Sequence, residues 1–278
     1  MAAEVVVVGQ AALLAALRLQ IEWGADEALA DAPLDRTALS AALPPAAGAP
    51  FPAAPRAPAA PARPGAGGLL IPAAAPPAAS RAAELAAAAD SLDALREAMA
   101  GFEGSPLRET ATNLVFADGV AGSGLMLIGE APGADEDRLG RPFVGVSGRL
   151  LDRMLASVGL GRERDFYVTN ILPFRPPGNR TPTDAEIALF LPFVLRHVEL
   201  AAPRLVVLLG GTAAKALLRS REGITRLRGR WHEVAPREGG AALPALATLH
   251  PAYLLRNPAA KKDAWHDLLL LRRRLDGA

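Results

Sequence analysis

The chain has 278 residues, 51% of them hydrophobic, so it can hold one large domain or a domain with an appendage, and it is apolar enough for a core. It contains no cysteine, which excludes disulfides, thiolate catalysis, zinc–thiolate sites and cysteine-held iron–sulfur clusters. The formal net charge of +1 hides a division: residues 1–121 carry 7 Lys and Arg against 13 Asp and Glu, and the rest 23 against 16, which suits the second part to a polyanion.

From the N-terminus, an apolar stretch runs from Val5 to Leu17, but Glu4 stands where a basic leader belongs, and Arg18 and Glu22 follow closely. Neither a signal peptide nor a membrane span is expected, and a soluble cytoplasmic protein is. Residues 11–23 place Leu13, Leu14, Leu17 and Ile21 at near-helical spacing, predicting a short amphipathic helix in an appendage over residues 1–40. That helix packs on the domain or on itself, or docks a partner. Residues 41–79 are almost wholly Ala, Pro and Gly, with Phe51 the lone aromatic anchor, and read as a flexible, partly polyproline linker.

The domain proper is expected over 80–278. A helix is predicted from Ser80 to Met99, with Leu85, Leu92, Leu95 and Met99 on one face and Gly101 just past its end. Strands are then predicted at Leu125–Ile128, Phe166–Asn170, Arg204–Leu209 and Ala245–Leu249. Helices are predicted after each, at Ser147–Val158, Asp184–Leu200, Thr212–Leu218 and Asp263–Leu275. Short, almost wholly apolar strands separated by helices imply a sheet covered on both faces. The expected fold is a three-layer α/β/α domain with a central, mainly parallel four-stranded sheet.

Such a sheet gathers the residues at its strand ends along one edge, here Gly129-Glu130, Asn170, Gly210-Gly211 and His250. Each alone has a plain structural reading, and their convergence carries the functional one. Asn170 offers a donor and an acceptor together, which suits an imide or pyrimidine edge. His250, stiffened by Pro251, can donate to developing negative charge. Phe143 lies in a Pro-Phe-Val-Gly turn and offers its ring to a planar ligand or to the core. The loop Arg175-Pro176-Pro177-Gly178-Asn179-Arg180 contacts phosphates or is a solvated turn. Gly129 to Gly133 lacks the third spaced glycine of a dinucleotide fingerprint, and no Gly-Lys-Ser/Thr follows a strand, so neither a dehydrogenase nor a P-loop fits.

Gly129-Glu130-Ala131-Pro132-Gly133, Gly140-Arg141-Pro142-Phe143-Val144-Gly145, Thr169-Asn170, the Arg175–Arg180 loop, Leu227-Arg228-Gly229 and His250-Pro251-Ala252 fall in one order. In that order they resemble the uracil-DNA glycosylases, specifically the family 4 type of bacteria and archaea, over residues 91–273. The resemblance implies a monomer of the bacterial cytosol or nucleoid, with no membrane, acting on uracil-containing DNA, single- or double-stranded. It implies that backbone amides in Gly129, Glu130, Ala131 and Gly133 bind a carbonyl of the flipped base, that Phe143 stacks on it and that Asn170 reads its edge. It further implies that Glu136 helps exclude a thymine methyl and that His250 stabilises the departing anion. Arg175, Asn179, Arg180, Tyr253, Leu254, Leu255 and Arg256 are the implied DNA contacts.

Where the most active relatives carry aspartate in the first turn, this chain has Ala131. Glu130 is the candidate catalytic partner of His250, as a water polariser or as a structural carboxylate. The resemblance also implies a [4Fe–4S] cluster, yet its four positions are Phe102, Ser105, Phe174 and Phe190. No cofactor is therefore expected, and an aromatic plug is expected in the cluster's place. Three readings compete: turnover to an abasic site, retention of uracil-containing DNA without turnover, or the same fold holding another small planar ligand with the basic face incidental. Retention in related folds needs an extra basic insertion with a histidine, and the matching stretch here, Gly223 to His232, is short.

Overall fold

The computed structural model describes residues 77–237 and 239–277. In chain order, helices α1 (Ala78–Ala88) and α2 (Leu92–Gly101) and the single turn α3 (Leu107–Thr110) lead to β1 (Asp118–Gly119), β2 (Leu125–Gly129), α4 (Ala134–Leu139), α5 (Val146–Ala156) and β3 (Tyr167–Asn170). There follow α6 (Asp184–Ala201), β4 (Leu205–Leu209), α7 (Gly211–Leu218), α8 (Ile224–Leu227), β5 (Trp231–Val234), β6 (Leu243–Thr248), α9 (Pro251–Arg256) and α10 (Lys261–Asp276). The expected N-terminal helix lies outside the described residues, as does the linker up to residue 76.

The six strands form one sheet in the order β1-β3-β2-β4-β6-β5. The four central strands are parallel and are those the apolar runs predict. The two outer strands pair antiparallel and correct the expected count of four. Neither offers a pattern to read: β1 is two residues long, and β5 is largely half-exposed with only Val234 fully buried.

Alternation along the strands divides the core into two layers. Met126, Ile128, Val206 and Leu208 face a layer that includes residues of α1, α2, α6 and α7. Leu125, Leu127, Val207 and Leu209 face a layer that includes residues of α5 and α10. Helices therefore cover both faces, and the domain is α/β/α as expected.

The helix expected over Ser80–Met99 is two helices. α1 ends at Ala88, Ala89 turns to extended geometry (φ −72°, ψ 122°), and Ser91 starts α2 by accepting from the Ala94 N–H. The Ala89 carbonyl, freed from the helix, accepts from Arg196 Nε at 2.9 Å. The inward face also differs from expectation. Leu85 is exposed, and Ala82, Ala86 and Ala89 are buried; their small side chains let α1 approach α6. α1 begins at Ala78, so helix replaces the last two residues of the expected linker.

Beyond α2 the chain enters an aromatic cluster. Phe102 meets Phe190 edge-on at 6.0 Å and Phe193 at 5.4 Å. Phe174 meets Phe190 at 6.0 Å, and Phe190 and Phe193 lie tilted at 6.3 Å. All four rings are buried, with Ser105 buried nearby in the chain. Phe193, one turn after Phe190 on α6, was not foreseen.

Candidate active site

Strand register brings the predicted residues together. Gly129 on β2 pairs with Asn170 on β3, and Leu209 on β4 pairs with Thr248 on β6. The residues just past these pairs, Glu130, Gly210 and His250, therefore leave the sheet at the same edge. There they line a cleft of about 490 Å³ with Ala131, Gly133, Glu136, Phe143, Asn170, Asn179, Arg180, Tyr253 and Arg256.

The floor is tight because Gly129 has no side chain. A Cβ there would fall 2.4 Å from Phe143 Cζ and 2.5 Å from Asn170 Oδ1, so only glycine lets the ring and the amide close over the strand end. Asn170 is buried, and its Oδ1 has no hydrogen-bond partner among the described residues. An unpaired buried carbonyl oxygen costs roughly 1–3 kcal/mol, a cost that a ligand N–H at this point removes.

His250 caps α9. Its Nδ1 accepts from the Ala252 N–H at 3.2 Å, which leaves the proton of the neutral ring on Nε2 as a donor. Burial, with Arg256 nearby, pushes its pKa down to about 4, so the ring is neutral at physiological pH. Phe143 lies 5.7 Å from it, ring to ring, inclined by 34°.

Two carboxylates serve the turns. Glu136 Oε1 accepts from the Val144 and Gly145 N–H groups at 3.0 and 2.8 Å, and its Oε2 accepts from the Gly133 N–H at 3.1 Å. It thus ties the 129–133 turn to the 142–145 turn. Glu130 Oε2 accepts from the Thr212 hydroxyl at 2.5 Å. Thr212, at the start of α7, escaped the sequence reading; the Gly210-Gly211-Thr212 run closing an apolar strand was the available signal.

Behind β6, Arg228 forks onto Asp267 at 2.7 and 3.1 Å, and the Thr248 hydroxyl adds a bond at 2.7 Å. Asp267 is 1% exposed, and burial raises its pKa against the opposing pull of Thr248 and Arg228. This network fixes the strand end that carries Leu249 and His250.

The proposed DNA contacts divide. Tyr253 and Arg256 line the cleft, and Tyr253 and Leu255 are exposed. Leu254 is a correction: it is fully buried, packed with Leu150, Leu249 and Ala264. The rotation between successive residues of α9 turns it inward as its neighbours turn outward. Arg175 Nε donates to Asn179 Oδ1 at 2.7 Å, which stiffens the basic loop. Arg180 is engaged by both oxygens of Glu186, which holds the Glu186 carboxyl down at about 2.

Residues 116–269 match the model of the Uracil DNA glycosylase superfamily. The chain is similar to the Type-4 uracil-DNA glycosylase of Pyrobaculum aerophilum, at 36% identity over 64% of this chain and 92% of that protein. It is similar to that of Archaeoglobus fulgidus at 37% over 63% and 88% respectively, and to that of Thermotoga maritima at 39% over 55% and 77%.

Proposed function

Because the chain belongs to the uracil DNA glycosylase superfamily, we propose that it is a DNA-repair hydrolase that cleaves the N-glycosidic bond of uracil in DNA, releasing uracil and leaving an abasic site. The observation that carries this reading is the buried Oδ1 of Asn170, without a partner among the described residues, beside the Phe143 ring. A uracil flipped into the cleft gives that oxygen its N3–H and takes a bond from Asn170 Nδ2 at its O4. Phe143 stacks on the base, and backbone N–H groups of the 129–133 turn meet a carbonyl.

As the bond from the sugar C1′ to the base N1 breaks, its electron pair goes to the base. The Nε2–H of His250 donates to the oxygen on which that charge gathers, and a donor placed before charge develops lowers the barrier. Water adds to C1′ of the oxocarbenium-like sugar. Glu130, its carboxylate held by Thr212, is the group we assign to accept the proton that water loses. Tyr253, Leu255, Arg256, Arg175 and Asn179 meet the DNA strand. The protein is proposed to act as a monomer in the bacterial cytosol, and no helix among the described residues is long and apolar enough to cross a membrane.

A cluster does not fit the positions that the resemblance assigns to it. Phe102, Phe174 and Phe190 fill that space with rings in contact, and the chain has no thiolate to offer. We propose that these rings do the cross-linking that metal–thiolate bonds do elsewhere, and no step of the reaction runs through iron. Retention without turnover is disfavoured by His232, the histidine of the matching stretch, which lies on β5 and whose Nε2 is bonded to the Leu227 carbonyl at 2.7 Å.

The test uses single- and double-stranded oligonucleotides bearing one uracil, followed by alkali. Strand scission that is lost in Asn170→Ala and His250→Ala is the expected result. Intact strands after incubation with the unaltered protein, or a denaturant-resistant protein–DNA adduct, would overturn it.

A further inference from the structure

We infer that Arg162, which does not line the cleft, is a positioning residue that sets the pocket's aromatic platform from behind. The inference rests on the reading that Phe143 stacks on the base. Phe143 has φ +54°, a left-handed backbone that an aromatic residue adopts only where its surroundings impose it. Those surroundings are polar and converge on main-chain oxygens. Arg162 Nη1 donates to the Pro142 carbonyl at 3.0 Å and Nη2 to the Phe143 carbonyl at 2.8 Å.

The guanidinium is itself anchored. Its Nε and Nη2 donate to Asp152 Oδ1 at 3.0 and 2.8 Å, and Nη1 donates to Asp118 Oδ2 at 3.0 Å. Its carbon lies 5.9 Å from the centre of the Phe166 ring, and the side chain is 10% exposed. Asp118 also takes both its oxygens to Arg141. From the other side α5 closes on the same carbonyl: a Cβ at Gly148 would lie 1.9 Å from the Phe143 oxygen. The backbone of Phe143 is thus gripped on two sides while its ring projects over Gly129 towards His250. Four acceptors around one planar fork suit arginine, and the three donors of a lysine ammonium cannot reach them together.

Arg162 therefore acts on the base only through residues 142–143, and this separates it from a residue that merely stabilises the fold. The experiment compares the full chain with Arg162→Lys, Phe143→Ala and the double variant, measuring kcat, KM and competitive inhibition by free uracil, alongside thermal melts. Loss of one base–aromatic stack weakens binding by about tenfold, so each single variant is expected to raise the uracil inhibition constant by about that factor. The double variant is expected to match Phe143→Ala within about twofold, because the platform can be lost only once.

Losses that multiply in the double variant would overturn the inference, as would an unchanged inhibition constant in Arg162→Lys when Phe143→Ala is impaired. An unimpaired Phe143→Ala would instead bring down the stacking reading and the inference with it. Should Arg162→Lys fail to fold, Asp152→Asn keeps the arginine but loosens its anchor. It is expected to raise the inhibition constant in the native background and not in the Phe143→Ala background; no change in the native background would overturn the inference.

Discussion

Replacing Phe190 by alanine removes the ring that touches each of the other three in the aromatic cluster. Phe190 is fully buried and lies 6.0 Å from Phe102, 6.0 Å from Phe174 and 6.3 Å from Phe193. Truncating a buried phenylalanine costs about 3–5 kcal/mol in transfer and cavity terms. Edge-on and tilted ring pairs contribute about 0.5–1.5 kcal/mol each beyond area, so the upper end of that range, roughly 4–5 kcal/mol, is expected. For a domain of this size each kcal/mol lowers Tm by about 2–4 °C, which places the fall at about 8–20 °C. Phe190→Leu keeps an apolar side chain but still loses the three ring pairs, so it should cost less than Phe190→Ala yet at least about 1.5 kcal/mol. Denaturant unfolding of both variants beside Leu85→Ala, whose side chain is exposed, gives the comparison. If Phe190→Ala lost no more than the Leu85 control, the rings would not be holding these segments together.

Stability should also depend on acid. His197 is 2% exposed, stacked on Phe116 at 4.4 Å and bonded to the Tyr167 hydroxyl; burial pushes its pKa down to about 3. The folded ring stays neutral while the unfolded one takes up a proton near 6.5, so stability falls as pH drops through 6.5 and the loss is complete near 3. At about 1.4 kcal/mol per unit, the full shift of His197 corresponds to about 5 kcal/mol, and unfolding curves that fall no less steeply in His197→Phe would contradict it. Activity, by contrast, should hold down to about pH 4 as far as His250 is concerned; a rate that rises and falls with a group near 6.5 would mean the ring is not held neutral. Arg228→Ala leaves the buried Asp267 without its cation and with only the Thr248 hydroxyl as partner, so a loss of about 3–5 kcal/mol is expected in denaturant unfolding. Arg256→Ala should weaken binding to uracil-free oligonucleotide and flatten its salt dependence by about one unit of slope; an unchanged slope would remove Arg256 from the DNA contacts.

The parallel strands were legible because they are buried on both faces: Leu-Met-Leu-Ile at β2 has no polar position to confuse it. β5 was not, since its pattern is neither an apolar run nor a clean alternation. The break between α1 and α2 was hidden by alanines, which favour helix everywhere; what stops the helix is the Ser91 cap and a carbonyl taken by Arg196 more than a hundred residues away. Among the site residues, Asn170, His250 and Phe143 could be found because each ends a strand or turn. Glu136 was legible as present but not as bonded: its two oxygens accept three backbone N–H groups. Arg162 could not be found, because the partners that tie it to the pocket are main-chain oxygens about twenty positions distant, and main-chain oxygens leave no mark on residue type. Leu254 went astray for want of helix phase.

The aromatic cluster also decides which chemical conditions the scaffold tolerates. Thiolate ligands are open to peroxide, and a cluster they hold is open to chelators. Rings joined by dispersion and quadrupole contacts present neither target, and the chain has no cysteine elsewhere to oxidise. At these positions the segments are therefore held together by groups that neither peroxide nor a chelator attacks.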